Sequence, residues 1–369
     1  MSESWFKIRN EADVPSPALL IYLERVEENI RRLIALAGDV SRLRPHVKTH
    51  KLPQIIALKL KHGITRFKAA TVAEAEMVAE AGGPDVFLAY QPVGPNTARF
   101  VELSLRFPRT RFSTMVDNRA TILELNQACS RVNHRLPVLI DLNCGMNRTG
   151  ITPGPEALDV YRAIHNASHL DADGLHVYDG HLHEPDPVKL SASVEAAFAP
   201  VWELRSQLLE AGLPVPRMIA GGTPTTPLHA KDGRIECGAG TTILWDSGQP
   251  LVSPDQPFLH AAVLLIRVVS KPTSNRLCFD LGHKAVASEM PHPRVQILDL
   301  PDAKFVIHSE EHLVVETPLA SAIPVGTTFY AIPRHICPTV ALHNEVSVVQ
   351  GGMVVDQWPV VARARRLTV

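Results

Sequence analysis

The 369-residue chain is short of cysteine, of net charge and of long apolar runs, and each shortage closes off a class of function. Five scattered cysteines, an odd number with no Cys-x-x-Cys, argue against a disulfide framework and fit a reducing cytoplasm. Thirty-seven Lys and Arg stand against 38 Asp and Glu, a formal net charge of −1. No domain-wide basic field exists to condense on nucleic acid or anionic lipid, so a small-molecule partner is expected. The longest apolar stretch, "AAVLLI" near residue 263, is far too short to span a bilayer. The opening "MSESWFKIRNEADVPSP" lacks the apolar run of a signal peptide. Repeats of solenoid period and low-complexity segments are missing too. A soluble, cytoplasmic protein is expected, and its 45% hydrophobic content is enough to bury a sizeable core.

What is present is a rhythm. From about residue 17, short apolar or β-branched runs recur as "ALLIY", "RLRPHV", "RFKAAT", "DVFLAY", "RFSTMV", "PVLIDL", "GLHVYD" and "PRMIAG". Between most of them lie stretches of helical spacing, such as "LERVEENIRRLIALAG" and "VAEAEMVAEAGG", several closing on a Gly that can cap a helix. Eight strands alternating with helices predict an α/β fold, a (β/α)8 TIM barrel over residues 1–250. A doubly wound sheet is the alternative, weakened because no Gly-x-Gly-x-x-Gly follows the first strand. After about residue 250 the helical signal vanishes. "HAAVLLIRVVS", "RLCFDLG", "RVQILDL", "HLVVET", "TTFYAI" and "VSVVQGGMVVDQWPV" read as strands of a second, all-β domain over 251–369, on which residues 1–15 are expected to pack. Within the last of these, "QGGM" reads as a hairpin turn.

One stretch concentrates base in an otherwise neutral chain: "RPHVKTHK", residues 44–51. It straddles the end of the second predicted strand, and barrels keep their chemistry at the carboxyl ends of strands. A solvated strand end with ordinary surface lysines is one reading. A lysine set among other cations, usable as an amine in Schiff-base chemistry, is the other.

The neighbours favour the second reading. "RPHVKTHK", "KAATVAEAE", "DLNCGMNRTG", "VYDGH", "AGGTPT", "IECGAGTTILWD", "SEEHLVVE" and "PRHICPTVAL" occur in this order over nearly the whole chain. Together they resemble the fold-type III pyridoxal-phosphate enzymes of the D-threonine aldolase and D-serine dehydratase branch. The resemblance implies an alanine racemase-like barrel, with Lys48 as the Schiff-base lysine and His46 beside the cofactor. It also implies a homodimer in which the β domain of one protomer closes over the barrel mouth of the other.

The other motifs have physical readings of their own. Gly221, Gly222 and Thr223 follow the last predicted barrel strand, where barrels commonly bind phosphate through backbone N–H groups and a hydroxyl. Gly240 and Thr241 supply a second set, matching the family's Pro-Gly-Thr-Tyr stretch, although Ala239 and Thr242 stand where the family has Pro and Tyr. Arg148 is a natural cation for the cofactor's phenolic oxygen or a substrate carboxylate, or else a plain loop arginine. Tyr178 is placed near the pyridine nitrogen, or packs only. His181 and His183, beside it, suit acid–base work. His335 and Cys337, two apart on an expected strand, would share one face and bind one ion. The resemblance implies a divalent metal there, manganese, zinc or magnesium, with thiolate favouring zinc.

Together these imply a lyase acting on D-3-hydroxy amino acids, with retro-aldol cleavage of D-threonine-like substrates to glycine and an aldehyde. The alternative is a D-serine or D-3-hydroxyaspartate dehydratase, which needs the same lysine and a similar metal pair. A non-catalytic pyridoxal-phosphate protein is the reading of another class. Such proteins are lone barrels, and the β domain argues against it.

Overall fold

A computed structural model describes residues 4–369. By its internal contacts the chain forms two compact units, one of residues 1–32, 49–52 and 241–363, the other of 33–48, 53–240 and 364–369. No helix of the described residues is long and apolar enough to cross a membrane, and all five cysteines are free.

The first strand, β1 (Ala18–Tyr22), corrects an expectation. "ALLIY" was expected to open the barrel, yet it pairs antiparallel with Ala262–Ser270 and parallel with Glu345–Gln350 in the mixed sheet. Four of its five residues are buried, so its sequence shows no preferred face and either sheet could have taken it.

The other unit holds the parallel sheet: β2 (Arg66–Ala69), β3 (Asp85–Leu88), β4 (Arg111–Val116), β5 (Leu136–Leu142), β6 (Leu170–Val177), β7 (Met218–Ala220) and β8 (Ile235–Cys237), in that order. The missing eighth strand is residues 43–46. Leu43 bridges Cys237 of β8 and His46 bridges Lys68 of β2, both in parallel. The amides of Arg44 and His46 donate to the carbonyls of Cys237 and Ala239, and the Lys68 amide donates to the Pro45 carbonyl. The ring is therefore closed, as a TIM barrel. "RLRPHV" was read correctly as a barrel strand, and "IEC" takes the place expected for "ALLIY". Phe87, Met115, Leu139 and Ile219, from four different strands, pack together inside.

Charge gathers at the amino ends of the barrel strands. Arg44 is wholly buried and binds Asp85 through both Nη atoms at 2.7 and 3.1 Å, and Glu236 through Nε at 2.6 Å. Arg217 and Arg111 hold Asp173, and Arg66 holds Glu236.

The mixed sheet continues with β9 (Ala262–Ser270), β10 (Arg276–Phe279), β11 (Val295–Ile297), β12 (Lys304–His308), β13 (Leu313–Glu316), β14 (Thr328–Pro333), β15 (Glu345–Gln350) and β16 (Met353–Pro359). Its main path runs β12-β13-β10-β9-β1-β15-β16. The expected hairpin joins β15 to β16 through Gly351 and Gly352, both at positive φ (+57° and +73°), which only glycine adopts freely. Phe6, Ile8 and Val14 pack against β1 and β9 within the same unit. Residues 1–3 of the segment expected to pack there lie outside the described residues.

Replacing Arg44 by Met takes the fully buried cation from Asp85 and Glu236, leaving Glu236 only the part-exposed Arg66 and Asp85 only the longer contacts of Arg111 and Arg217. Losing one partner of a buried pair costs about 3–5 kcal/mol. Denaturant unfolding of Arg44→Met should show a loss of that order, and an unchanged midpoint would mean that the cluster does not close the ring.

Candidate active site

At the carboxyl ends of the barrel strands lies a cavity of about 540 Å³. The closing segment brings His46 and Lys48, β2 brings Lys68, and β5 brings Asp141 with Arg148 in the loop beyond it. His176 from β6 and Tyr178 just after it also line it, with Gln91, Asp117 and Thr149 at its side. The sequence candidates His46, Lys48, Arg148 and Tyr178 thus share one cavity. Lys48 sits in a single 3-10 turn, Val47–Thr49, and its amide donates to Nδ1 of His46 at 3.3 Å.

Three cations surround one aromatic ring. Lys48 Nζ lies 5.9 Å from the Tyr178 centroid, Lys68 Nζ 5.3 Å and the Arg148 guanidinium carbon 5.0 Å. Such spacing gives a modest cation–π attraction, and the three cations share the cavity with the Asp117 and Asp141 carboxylates. Lys68 is fully buried. Burial, followed by repulsion from Lys48, pushes its ammonium down to about 7, although Asp141 and Asp179 pull the other way. The cavity therefore offers amines and fixed positive charge, which suit a small anionic carbonyl compound.

The glycine loop after β7 is held from beneath by Asp179, which is wholly buried. Its carboxylate accepts from the Gly222 amide (3.1 Å) and the Thr225 hydroxyl (2.9 Å), with His229 Nε2 at 2.7 Å. Gly221 has φ +83°, and a Cβ there would come 2.6 Å from the His229 ring, so the position needs glycine. The amides of Gly221 and Gly222, expected to face a phosphate, already donate to Val177 and to Asp179 and Thr225. Thr223 is nearly buried beside them. Gly240 follows β8, while Thr241 begins a 3-10 turn of the other unit, its hydroxyl 3.7 Å from Cys337 Sγ.

His181 and His183 do not line the cavity. The chain turns at Asp179–Leu182, closed by the Leu182 amide on the Asp179 carbonyl, and carries His183 out to solvent. His181 stays half-buried, with a buried Nδ1 that has no partner. The residues that reasoning missed are Lys68, Asp141, His176 and Asp179. Their signal was visible: a charged or polar residue inside "RFKAAT", "PVLIDL" and "GLHVYD", runs that otherwise read as buried strand.

In the second unit, "PRHICPTV" is not a strand. Ile336–Leu342 is a helix, with His335 as its N-cap and Cys337 in its first turn, and Asp246 caps it by accepting the Ile336 amide at 2.8 Å. Alternation along a strand therefore does not bring the pair together; the helix start does. Burial pushes His335 down, but the hydrogen bond and charge of Cys337, the Glu289 carboxylate on Nδ1 at 2.5 Å and the charge of Asp246 outweigh it, lifting the imidazole to about 9. Cys337 Sγ also donates to the Thr49 hydroxyl at 3.2 Å. The imidazole, oriented by the carboxylate on Nδ1, and the thiol are two donors that suit a borderline divalent ion such as zinc. Among the described residues no three His, Cys, Asp or Glu side chains converge as a ligand set, so other positions would fall to water or substrate.

The family described as alanine racemase, N-terminal domain, matches residues 21–241, and a putative serine dehydratase domain matches residues 261–349. The chain is 29% identical to a D-threonine aldolase of an Arthrobacter species, over 95% of this chain and 93% of that one. It is 24% identical to the D-threo-3-hydroxyaspartate dehydratase of a Delftia species (strain HT23), over 93% and 96%. The crystal structure of D-threonine aldolase from Filomicrobium marinum superposes with a TM-score of 0.88 at 28% identity, covering 95% of this chain and 96% of that one.

The buried Lys68 makes a prediction with a definite sign. An ordinary lysine titrates at 10.5 and the folded one near 7, so between those values the unfolded chain binds one more proton. This group's contribution to stability should rise with pH across that window, by up to about 1.4 kcal/mol per pH unit. Lys68→Met removes it. The stability gained by the variant should be largest below pH 7 and shrink towards pH 10; a constant difference would show that Lys68 is not desolvated.

Proposed function

The chain belongs to the family of the alanine racemase N-terminal domain, and from that premise we propose a lyase of the D-threonine aldolase type, dependent on pyridoxal 5'-phosphate and a divalent metal ion. Its substrates are D-3-hydroxy amino acids, cleaved between Cα and Cβ to glycine and an aldehyde. The observation that carries the reading is the placement of the Lys48 amine at a barrel mouth that also holds Lys68, Arg148 and the Tyr178 ring. The cavity fits the cofactor: an amine for its aldehyde, a Tyr face for its ring and cations for its anionic groups. When bound, pyridoxal phosphate supplies the sink for the electron pair released at Cα.

The chain's own residues do the rest. Lys48 anchors the aldehyde, with His46 fixing the turn that carries it. Arg148 would hold the phenolic oxygen, and Tyr178 would support the ring. Thr223 and Gly240 would hold the phosphate, and Gly221 and Gly222 would contribute by leaving room rather than by their engaged amides. His335 and Cys337 would hold the ion, with Glu289 on Nδ1 leaving Nε2 of His335 free for it. The ion there would polarise the substrate hydroxyl. Neither His181 nor His183 lines the cavity; of the two, half-buried His181 would be the one for proton transfer, since His183 is exposed. A homodimer in the cytoplasm is part of the proposal; the free cysteines support the compartment.

The dehydratase alternative is kept because the Delftia relative carries that activity in its name and aligns over 96% of its own length. The two differ in which bond at the substrate breaks, which the products report directly.

Lys48→Ala should abolish the cofactor's visible absorbance while the fold persists, and Lys51→Ala should not, because the Lys51 amine turns to the Ala362 carbonyl. Chelation, or His335→Ala, should spare that absorbance and suppress turnover of D-threonine, with zinc or manganese restoring it after chelation. Survival of activity without metal would make the ion structural. Assays on D-threonine and D-serine should yield acetaldehyde and glycine from the first; ammonia and a keto acid without aldehyde would transfer the assignment to the dehydratase. Sedimentation should give a dimer at assay concentration, and an active monomer would refute it.

A further inference from the structure

The floor of the barrel cavity carries a histidine that none of the proposed cofactor or metal contacts uses. His176 is 3% exposed and lines the cavity. Its Nδ1 lies 2.7 Å from Oδ1 of Asp141, the residue directly across the parallel β5–β6 ladder. An ionised carboxylate only accepts, so Nδ1 carries the hydrogen and Nε2 presents its lone pair. That Nε2 is buried and has no hydrogen-bond partner. Buried polar atoms are nearly always paired, and an unpaired one beside a cavity asks what completes it.

The groups facing the ring come from every side. Asp141 is on β5, Lys68 on β2, Arg148 in the loop after β5, and the Phe87 ring on β3 stands 5.1 Å away, centroid to centroid. Burial, then the charge of Lys68, hold the imidazole below its ordinary titration despite its hydrogen bond to Asp141, and Arg148 adds to the effect. The ring is neutral at physiological pH, with its orientation and tautomer fixed by a carboxylate. That is the base-and-orienter arrangement that proton transfer requires.

We propose that His176, oriented by Asp141, is a further catalytic residue, whose Nε2 accepts the hydrogen of an N–H or O–H group that bound cofactor or substrate brings to the cavity floor. The proposal rests on the reading of this cavity as the cofactor site. Asp141 acts through the histidine and is a positioning residue. An amide in its place can donate to Nδ1, which drives the ring hydrogen to Nε2 and turns the acceptor into a donor.

Ring-¹⁵N histidine NMR of the full-length protein tests the idea without relying on turnover, with His176→Gln used for assignment. The expected resting state is the Nδ1–H tautomer. The Nε2 resonance should move when pyridoxal phosphate is added, placing the donor on the cofactor, or only when glycine is added as well, placing it on the substrate. A resonance unmoved by either overturns the proposal, as does a resting Nε2–H. In the cofactor-loaded enzyme, His176→Gln and Asp141→Asn should each lower kcat by about 10²-fold or more, with cofactor absorbance kept and KM little changed. A loss of melting temperature with kcat intact in both would mark the pair as structural and refute the role. The wild-type NMR arm still decides should a variant fail to fold. Lys48→Ala tests the cavity itself: if it keeps the absorbance, the cavity reading fails, whereas the two floor variants test only the histidine.

Discussion

Closure of the barrel by residues 43–46 is the constraint on which the rest of the site depends. The segment contributes only two bridges and a few backbone hydrogen bonds to the ring, too few to hold it alone. Arg44 supplies the rest. Its guanidinium binds Asp85 on β3 and Glu236 on β8 and reaches the Phe67 carbonyl on β2, joining the strands on both sides of the seam. Four residues further, at roughly 3.3 Å per residue, the same chain emerges at the mouth with Lys48. One short segment is thus a structural bolt at one end and the chemical end of the barrel at the other. The basic cluster that stood out in the sequence divides accordingly: Arg44 belongs to the floor, Lys48 to the cavity.

The cavity combines positive charge with burial, and the two work against each other. Lys68 in a solvated site would be an ordinary ammonium. Inside the barrel, with Lys48 and Arg148 as neighbours, it loses much of its preference for the proton. The same two effects keep His176 neutral although Asp141 is bonded to it. A pocket built this way weakens the hold of the Lys68 amine and the imidazole on their protons, while Arg148 cannot lose its own. Beneath it, Asp179 ties Gly222, Thr225 and His229 into one unit, so the glycine loop does not rely on its own flexible backbone for shape.

Much of this was legible in the chain. The alternation of apolar runs with helical stretches predicts the barrel, and the loss of helical spacing after residue 250 predicts the mixed sheet. "RPHVKTHK" and "GMNRTG" pointed to Lys48 and Arg148 because charged residues at strand ends face a barrel mouth. Other parts were not legible, for identifiable reasons. "ALLIY" reads the same in a parallel barrel and in a sheet buried on both faces. "PRHICPTV" has the β-branched content of a strand, but Asp246, 90 residues away, caps Ile336 and starts a helix there. His181 and His183 were judged by their neighbour Tyr178, whereas a backbone turn at Asp179–Leu182 takes them away from the cavity.

The sequence by itself determined which elements form, their order, and which residue types stand at the strand ends, since these follow from local periodicity and turn chemistry. The tertiary structure alone decided which segment closes the ring and which polar side chains turn inward. A pattern of period two states that neighbours alternate. Where both faces of a strand are buried, it does not state which set meets the cavity. Lys68, Asp141 and His176 face inward because the ring closes at Arg44 and sets the register of every strand that follows.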